Sequence, residues 1–411
     1  MLDFDVEEFI RTRMTKRPES LLAEDFARDG AEMHRRIDGK RMLVIGGAGT
    51  IGSNFVKAAL RGFAPASMTV VDIDENALTE LTRELRADDA FAVPEEYVTE
   101  PIDLGSDLFA RFFRARGPFD IVANFAARKH VRAERDIYSI EAMCETNVFM
   151  AKKLLDLLLG SPPEAFFCVS TDKAANPVNV MGATKKLMEE TILAYSGRIP
   201  IKTARFANVA FSNGSLPIGW LNRLAKRQPL SCPLGIRRFF VSPVESGELC
   251  LFAAVMAESG DIVYPRLDPS NDMIPFDAVV RDLLDGLGFG CLDCTSSAEA
   301  KAAMAHWSAE AAAGRFGPYP CEFFGSDTSG EKTFEEFYTD ADERDETTFL
   351  RLGAVKNAER RSIAELESIF ADLRSAFSRP DTGKADIVDV LKEYLPDFRH
   401  IEKGKSLDGR M

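Results

Sequence analysis

The stretch RMLVIGGAGTIGSNFVKAALRGF, residues 41–63, decides the fold. Its first five residues, 41–45, form a short apolar run typical of buried parallel strands. A glycine-rich turn at 46–52 follows, and the remainder has the composition of a helix. Further strand-like runs alternate with helical stretches along the chain, at 67–74, 97–103, 119–126, 164–170 and 201–209. This alternation predicts an α/β fold with a Rossmann-like, doubly wound parallel sheet.

The predicted sheet occupies only part of the 411 residues. We expect a helical amino-terminal arm at 1–40 and the sheet domain at 41–240, with a helix at 242–260 that packs back on the sheet. Glycine, proline and aromatic residues increase between 210 and 345, which predicts a smaller substrate-binding region interleaved with the sheet domain. Residues 346–411 are predicted to form carboxy-terminal helices and a polar tail.

Composition excludes several classes of function. The net charge of −14 argues against nucleic-acid binding, which requires a basic face. No apolar run approaches the roughly 20 residues that span a bilayer, and the acidic start MLDFDVEEF does not resemble a signal peptide. The seven cysteines show no disulfide framework. We therefore expect a cytoplasmic protein without a membrane span.

The glycine turn has the context of a dinucleotide-binding loop. It follows a predicted strand, opens a predicted helix, and an acid ends the next strand. In such loops the glycines permit a tight turn, close approach to a pyrophosphate and close helix packing, while the acid accepts from ribose hydroxyls. The alternative is a glycine-rich turn that binds no ligand. The candidate cofactor-binding residues are Gly46, Gly49, Thr50, Ile51, Gly52 and Asp72.

The acids around this position favour one cofactor over another. Asp72, Asp74 and Glu75 would repel a 2′-phosphate, so we expect NAD. Arg83 or Arg86 could still accommodate NADP. Asp103 is a candidate for the adenine amino group or, equally, a helix cap. Ala126 is a further candidate contact to the cofactor.

A second polar group follows the predicted strand at 164–170. Ser170, Thr171, Asp172 and Lys173 stand where the carboxyl ends of parallel strands bind ligands. An adjacent acid and base would suit proton transfer. The alternative is a capped turn, with Asp172 as the cap and Lys173 in solvent.

Several blocks of sequence, in order, carry a resemblance to a known family. They are NFAARKHV (124–131), TNV (146–148), VSTDKAANPVNVMGATKK (169–186), ARFANVAFSNGSLP (204–217), RRFFVSPVESGELC (237–250) and SGEKTFEEF (329–337). Together they resemble the nucleotide-sugar 4,6-dehydratases of the extended short-chain dehydrogenase/reductase superfamily, in the polysaccharide-biosynthesis branch that acts on UDP-N-acetylhexosamines. The resemblance covers about residues 40–345.

That resemblance implies a lyase with a tightly bound, recycled NAD. C4 of the sugar is oxidised, water is eliminated across C5 and C6, and the hydride returns to C6. Asp172 is the implied acid at C6, and Lys173 the implied base at C5, which requires a lowered pKa. Thr171 and Ser170 are expected to hold the C4 hydroxyl. UDP-GlcNAc is the expected substrate, although GDP and CDP sugars stay open.

One position departs from the usual Y-x-x-x-K pattern. Lys185 supplies the lysine, expected to bind nicotinamide ribose, but Met181 replaces the tyrosine and cannot transfer a proton. One sub-branch of the family has methionine here, so we expect Asp172 to take the C4 proton as well, directly or through Thr171 or water. The alternative is a noncatalytic NAD-binding scaffold.

The remaining candidates should contact the nucleotide sugar. Arg238 resembles the family's phosphate-binding arginine, although Arg237 could be the true ligand. The other substrate candidates are Lys129, His130, Asn208, Asn213 and Ser215.

Further alternatives remain at this stage. A nucleotide-sugar 4-epimerase or reductase would share the fold, but an epimerase needs only C4 chemistry. The pair Cys291 and Cys294 is expected to be buried free thiols, with no metal site. We expect a homo-oligomer, and we expect the helix ADIVDVLKEYL to pack on its own domain or on a second subunit.

Overall fold

The structure, a computed structural model, describes residues 4–129, 134, 136–325, 332, 334 and 336–402. Its strands are β1 Arg41–Ile45, β2 Ser67–Val71, β3 Glu96–Glu100, β4 Ile121–Asn124, β5 Ala165–Val169, β6 Ile201–Ala204, β7 Asn208–Val209, β8 Leu230–Leu234, β9 Arg237–Val241, β10 Ile262–Pro265, β11 Met273–Pro275, β12 Cys291–Cys294, β13 Tyr319–Gly325, β14 Glu343–Asp345 and β15 Leu352–Lys356. Nine of them form one sheet, in the order β14-β15-β10-β6-β5-β4-β1-β2-β3.

The helices lie between these strands. They are α1 Val6–Phe9, α2 Ala23–Ile37, α3 Thr50–Gly62, α4 Glu75–Ala87, α5 Asp107–Arg116, α6 Ile137–Cys144, α7 Met150–Leu158, α8 Val180–Leu193, α9 Leu216–Ala225, α10 Pro243–Met256, α11 Phe276–Gly286, α12 Ser297–Ala312, α13 Ile363–Ser378 and α14 Lys384–Tyr394. Wider π-helical turns continue α1 over Ile10–Met14 and join α6 to α7 over Glu145–Phe149. None of the helices in the described part of the chain combines the length and the apolar character that a bilayer crossing requires.

The large sheet confirms the predicted doubly wound fold. Seven strands, from β3 through β1 and β4 to β10, run parallel, and β15 and β14 extend the sheet in antiparallel pairing. The strand order reverses between β1 and β4, so the crevice beyond their carboxyl ends is the ligand-binding position of such a fold. The first helix after β1 and the loop after β5 both open onto this edge.

One predicted strand, 201–209, is two strands of different sheets. Strand β6 ends at Ala204, and β7 starts at Asn208 beside β9. Arg205 at the break directs its guanidinium to Glu189 on α8. The sequence 201–209 looks like one continuous strand, but the chain passes from the large sheet to a small sheet at Arg205. Arg205 can be buried at this break because Glu189, which is distant in sequence, pairs with it.

Beyond the large sheet lies a second lobe. Two three-stranded sheets, β11-β9-β7 and β12-β13-β8, are packed with α9, α11 and α12 around Trp220, Phe240 and Phe276. All strands of the two small sheets except β7 fall within the region 210–345 that was predicted to bind substrate.

The terminal segments are packed parts of the molecule. At the amino terminus, Met33 and Ile37 lie in the core of the large sheet, whereas Phe9 and Met14 lie in the core of the second lobe. The predicted arm therefore does not stand away from the body. At the carboxyl terminus, α13 and α14 cover α8 and share an apolar core with Met181. The helix predicted from ADIVDVLKEYL thus packs on its own domain.

Candidate active site

The glycine loop and the start of α3 form one wall of a cavity of about 370 Å³. Gly46 has a φ of +70°, and a Cβ there would lie 2.5 Å from the nitrogen of Ala126. A Cβ on Gly52 would lie 2.3 Å from the carbonyl oxygen of Gly46. Side chains are therefore excluded on both sides of the turn, and Thr50 begins α3 with its backbone N–H groups at the cavity. Such a helix amino terminus is suited to a phosphate.

The predicted acids near this loop make backbone contacts. Asp72 accepts from the N–H of Ala48 at 3.0 Å and from the N–H of Asp74 at 3.1 Å, so its carboxylate also braces the loop. Asp103 accepts from the N–H of Gly105 at 2.8 Å. Neither acid is among the cavity-lining residues. Ala126, the other predicted cofactor contact, is not among them either, whereas its neighbour Ala127 is.

The loop after β5 brings an acid and a base together. Oδ1 of Asp172 accepts from the Thr171 hydroxyl at 2.8 Å, from the Lys173 backbone N–H at 2.9 Å and from Lys173 Nζ at 2.9 Å. Asp172 is 5% exposed, and all three residues line the cavity. Thr171, not Asp172, caps the short 3₁₀ turn Asp172–Ala174. Both side chains of the predicted pair therefore lie at the cavity, and Lys173 is held against the carboxylate.

Ser170 lines the cavity and also has a hydrogen-bond partner within the chain. Its hydroxyl donates to Glu189 at 2.5 Å, and Glu189 makes a buried two-point pair with Arg205 at 2.9 and 2.7 Å. Arg205 also donates to the carbonyl oxygen of Phe337 at 3.0 Å. The contact of Ser170 with the C4 hydroxyl stays a prediction; the proton of the Ser170 hydroxyl itself is directed to the Glu189 carboxylate. Sequence analysis could not predict this network, because Glu189 and Arg205 are 16 residues apart and belong to no recognisable motif.

Lys185 and Met181 lie on successive turns of α8 at the cavity. Lys185 Nζ donates to the carbonyl oxygen of Val169 at 2.6 Å and approaches the sulfur of Met188 at 3.5 Å. Burial lowers the pKa of Lys185. Met181 is 3% exposed and packs into the core that α8 shares with the carboxy-terminal helices.

A buried amide that sequence analysis did not select organises the opposite wall. Asn147, in the π-helical turn, accepts from the Arg128 N–H at 2.8 Å and donates to the Arg128 carbonyl at 3.0 Å and to Thr184 at 3.0 Å. It thereby ties the loop that carries Lys129, a cavity-lining residue, to α8. The motif TNV was the available signal. His130 lies outside the described residues.

The second lobe supplies the remaining wall. Asn208, Asn213 and Ser215 line the cavity, and the Asn213 N–H donates to Thr50 Oγ1 at 3.1 Å. Ser215 caps α9 through the Ile218 N–H.

The two arginine candidates on β9 donate to backbone carbonyls, and their binding of phosphate stays a prediction. Arg238 is 6% exposed and donates to the carbonyls of Arg237 and Lys332 at 2.9 and 3.1 Å, outside the cavity lining. Arg237 donates to the carbonyl of Met273 at 3.2 Å. Both guanidinium groups therefore donate to backbone carbonyls of other segments: Arg237 to Met273 at the start of β11, and Arg238 to Lys332.

Two potential metal-binding groups lie elsewhere. Ligand atoms of Glu134, His400 and Glu402 come close together, but Lys384 already pairs with both carboxylates, at 3.3 and 2.5 Å. Cys291 and Cys294 are free thiols on β12, half-buried and buried.

Comparison with known proteins places these features in a family. The chain is 32% identical over 256 residues to an uncharacterised membrane protein, MJ1061, of Methanocaldococcus jannaschii, covering 61% of this chain and 73% of that protein. It is 25% identical over 238 residues to the inverting UDP-N-acetylglucosamine 4,6-dehydratase of Campylobacter jejuni, covering 56% and 68%. It is 29% identical to the probable polysaccharide biosynthesis protein EpsC of Bacillus subtilis, covering 64% of this chain but only 44% of EpsC.

Solved structures share the fold. Pen from Bacillus thuringiensis has a TM-score of 0.61 at 21% identity, covering 79% of this chain and 92% of Pen. DesIV of Streptomyces venezuelae, a dTDP-glucose 4,6-dehydratase solved with NAD, has a TM-score of 0.50 at 21% identity, covering 60% and 81%. Residues 42–285 match the family described as polysaccharide biosynthesis protein. This match spans more than half of the chain, and the protein therefore belongs to that family.

Proposed function

We propose that this protein is an NAD-dependent nucleotide-sugar 4,6-dehydratase. The expected substrate is a UDP-N-acetylhexosamine, most simply UDP-GlcNAc, and the product is the 4-keto-6-deoxy sugar nucleotide used in bacterial surface glycan biosynthesis. The observation that carries the proposal is the contact of Lys173 with Asp172 at the cavity wall, 2.9 Å apart. A relative named as a UDP-N-acetylglucosamine 4,6-dehydratase supports the reaction and the substrate.

The chain's own residues fit a dinucleotide. The turn that excludes a Cβ at Gly46 and Gly52 leaves its backbone open to a pyrophosphate. Asp72 ends β2, where an acid accepts from ribose hydroxyls and disfavours a 2′-phosphate. We therefore propose NAD in preference to NADP, held through the whole reaction. When bound, it would supply the hydride acceptor for C4 and the hydride donor for C6.

Proton transfer falls to the loop after β5. In this proposal the Asp172 carboxylate takes the C4 hydroxyl proton directly, through water, or through Thr171, whose hydroxyl contacts it. The same carboxyl then delivers a proton to the departing C6 hydroxyl, since C4 and C6 are both bonded to C5 and their oxygens can lie on one side of the sugar. Lys173 removes the C5 proton and later returns one, so that the enzyme ends in its starting state. Met181 takes part in none of these transfers.

A 4-epimerase would use the same fold but needs no acid at C6. The adjacent Asp172 and Lys173 therefore favour the dehydratase over the epimerase. A noncatalytic NAD-binding scaffold would have no need of Asp172 or Lys173 at the cavity. Both residues line the cavity, which favours an enzyme.

The test is incubation of purified protein with UDP-GlcNAc in heavy water, without added cofactor, followed by mass spectrometry and NMR. We expect a product lighter by one water that carries deuterium at C5 and a hydrated ketone at C4. GDP- and CDP-sugars are tested in parallel to identify which nucleotide base the substrate carries. Epimerised sugar without loss of water would identify an epimerase. Unchanged substrate in all three cases would refute the dehydratase and leave the scaffold.

A further inference from the structure

Phe211 lies in a backbone conformation that its neighbours must maintain. Its φ is +51°, in the left-handed region that bulky residues adopt only where surrounding contacts hold them. It belongs to the loop between β7 and α9. Ser212, Asn213 and Ser215 of that loop line the cavity. The conformation of Phe211 thus determines where the second lobe's polar side chains stand.

The loop is fixed to the large domain on its inner side. The Asn213 N–H donates to Thr50 Oγ1 at 3.1 Å, which joins the loop to the first residue of α3. The Ala210 N–H donates to the carbonyl of Val241 on β9 at 2.9 Å. Between these two attachments, Phe211 is not among the cavity-lining residues, and its side chain packs against the core of the second lobe.

An amino-terminal ring covers Phe211 from outside. The ring of Phe9 meets it edge to face, with centroids 5.9 Å apart and an interplanar angle of 79°. Phe9 is 5% exposed and is supported by Phe4 at 5.4 Å. Edge-to-face pairs of this kind stabilise beyond the area they bury.

The same segment reaches a second part of the cavity wall. Arg17 donates to the carbonyl of Phe240 at 3.1 Å and makes a two-point pair with Glu245 at 2.8 Å for each bond. Phe240 lines the cavity, and Glu245 belongs to the capping box that begins α10. Arg17 therefore connects the cavity wall to a fixed point of the large domain.

We propose that residues 4–17, which precede the family match at 42–285, position the substrate-side wall of the cavity through Phe9 on Phe211 and Arg17 on Phe240. The inference rests on the proposed function only in naming a nucleotide sugar as the ligand. Phe9 and Arg17 are positioning residues, since both act through loop and strand residues that contact the cavity.

The first test separates substrate binding from chemistry. Phe9→Ala is expected to raise KM for the nucleotide sugar on the order of two- to tenfold, the range for loss of one aromatic pair, with kcat within about twofold. Phe9→Leu, which keeps an apolar side chain there, should recover most of the affinity. Phe26→Ala is the matched control, because Phe26 packs on Phe63 and Phe252 of the large domain. An equal rise of KM in Phe26→Ala would overturn the proposal.

A second readout does not depend on turnover. The chain has two tryptophans, Trp220 on α9 directly after the loop and Trp307 on α12. In 5-fluorotryptophan-labelled protein, Phe9→Ala should shift or broaden the ¹⁹F signal of Trp220 and leave that of Trp307 unchanged. If wild-type protein neither binds nor converts a nucleotide sugar, the proposed function fails while this comparison still tests the positioning. An unchanged Trp220 signal would refute the positioning itself.

A double variant checks that the two rings act together. Phe211→Gly accepts the positive φ without strain but removes the ring. If the contact is what positions the loop, Phe9→Ala combined with Phe211→Gly should raise KM no further than Phe211→Gly alone. Additive effects of the two substitutions would overturn the coupling.

Discussion

Nζ of Lys173 lies 2.9 Å from Oδ1 of Asp172, the oxygen that also accepts from the Thr171 hydroxyl. In this arrangement the lysine is the donor and the carboxylate the acceptor. In the proposed reaction the carboxylate takes one further proton, that of the C4 hydroxyl, and so becomes the acid that protonates the departing C6 hydroxyl. Lys173 acts in its amine form as the base at C5, and the contact keeps the proposed acid and base at one point of the cavity wall.

Replacement of the carboxylate should stop the reaction without unfolding the site. Asp172→Asn keeps the shape of the side chain but can neither accept nor deliver the proton, so we expect kcat to fall by roughly 10²- to 10⁴-fold, as for a removed general acid–base. Product is measured by mass spectrometry, and cofactor retention by absorbance. Asp268→Asn, in a surface turn closed by its own bonds to Ser270 and Asn271, is the control. Activity within threefold of wild type would exclude Asp172 from proton transfer.

Met181 should be replaceable by another apolar side chain. Met181 is buried in the core shared with α13 and α14, and it has no proton to give. Met181→Leu therefore keeps its contribution, which is apolar packing. We expect kcat within about threefold of wild type and a stability change below about 1.5 kcal/mol. Steady-state kinetics and thermal unfolding measure the two quantities. A loss of kcat above tenfold would contradict an inert Met181.

The buried pair of Glu189 and Arg205 should be sensitive to loss of one partner. Glu189→Gln leaves the Arg205 guanidinium buried without its carboxylate and removes the acceptor of Ser170, so we expect destabilisation of about 3–5 kcal/mol. Urea unfolding followed by circular dichroism measures it. The double variant Glu189→Leu with Arg205→Met removes both charges and should be less destabilised than Glu189→Gln. The reverse order would show that the ion pair itself stabilises the fold.

Lys202 on β6 should make stability rise with pH in the alkaline range. Burial lowers the pKa of Lys202 to about 8, with Arg36 adding to the effect. The folded state therefore holds fewer protons than the unfolded state between about pH 8 and the ordinary lysine pKa of about 10.4, and stability increases across that window. At pH 7 the buried ammonium should cost on the order of 2–3 kcal/mol.

The measurement for Lys202 is thermal unfolding from pH 7 to 10. Lys202→Met is expected to be more stable than wild type at pH 7, with the difference shrinking as pH rises. Lys226→Met, on the surface after α9, is the control and should show no such convergence. A constant difference between Lys202→Met and wild type would contradict a titrating, buried lysine.

The glycine turn and the alternation of strands and helices were predictable because they depend on local backbone rules. The turn at 46–52 joins an apolar run to a helix, and the apolar runs mark the parallel strands of a doubly wound sheet. The contact of Gly46 with Ala126, directly after β4, appears only in the folded chain. Asp172 and Lys173 were also predictable as a pair, since they are neighbours in the chain at the end of a strand.

Other parts of the site depend on residues far apart in sequence. Ser170 was predicted to contact substrate, and its hydroxyl also donates a hydrogen bond to Glu189, whose buried carboxylate pairs with Arg205. Arg238 was assigned to phosphate, but the carbonyl of Lys332 lies against it. Neither partner can be inferred from spacing, because each contact forms only when distant segments pack.

The sequence by itself determined the α/β sheet, the glycine-rich loop after β1 and the placement of Asp172 and Lys173 side by side after β5, because these follow from hydrophobic periodicity and from residues adjacent in the chain. Tertiary structure alone decided that Phe9 covers Phe211 and that α13 and α14 cover α8. The physical reason is that burial of apolar surface is not directional. The sequence of an amphipathic segment shows that its apolar face will be buried. Which other segment buries that face is decided only when the whole chain packs.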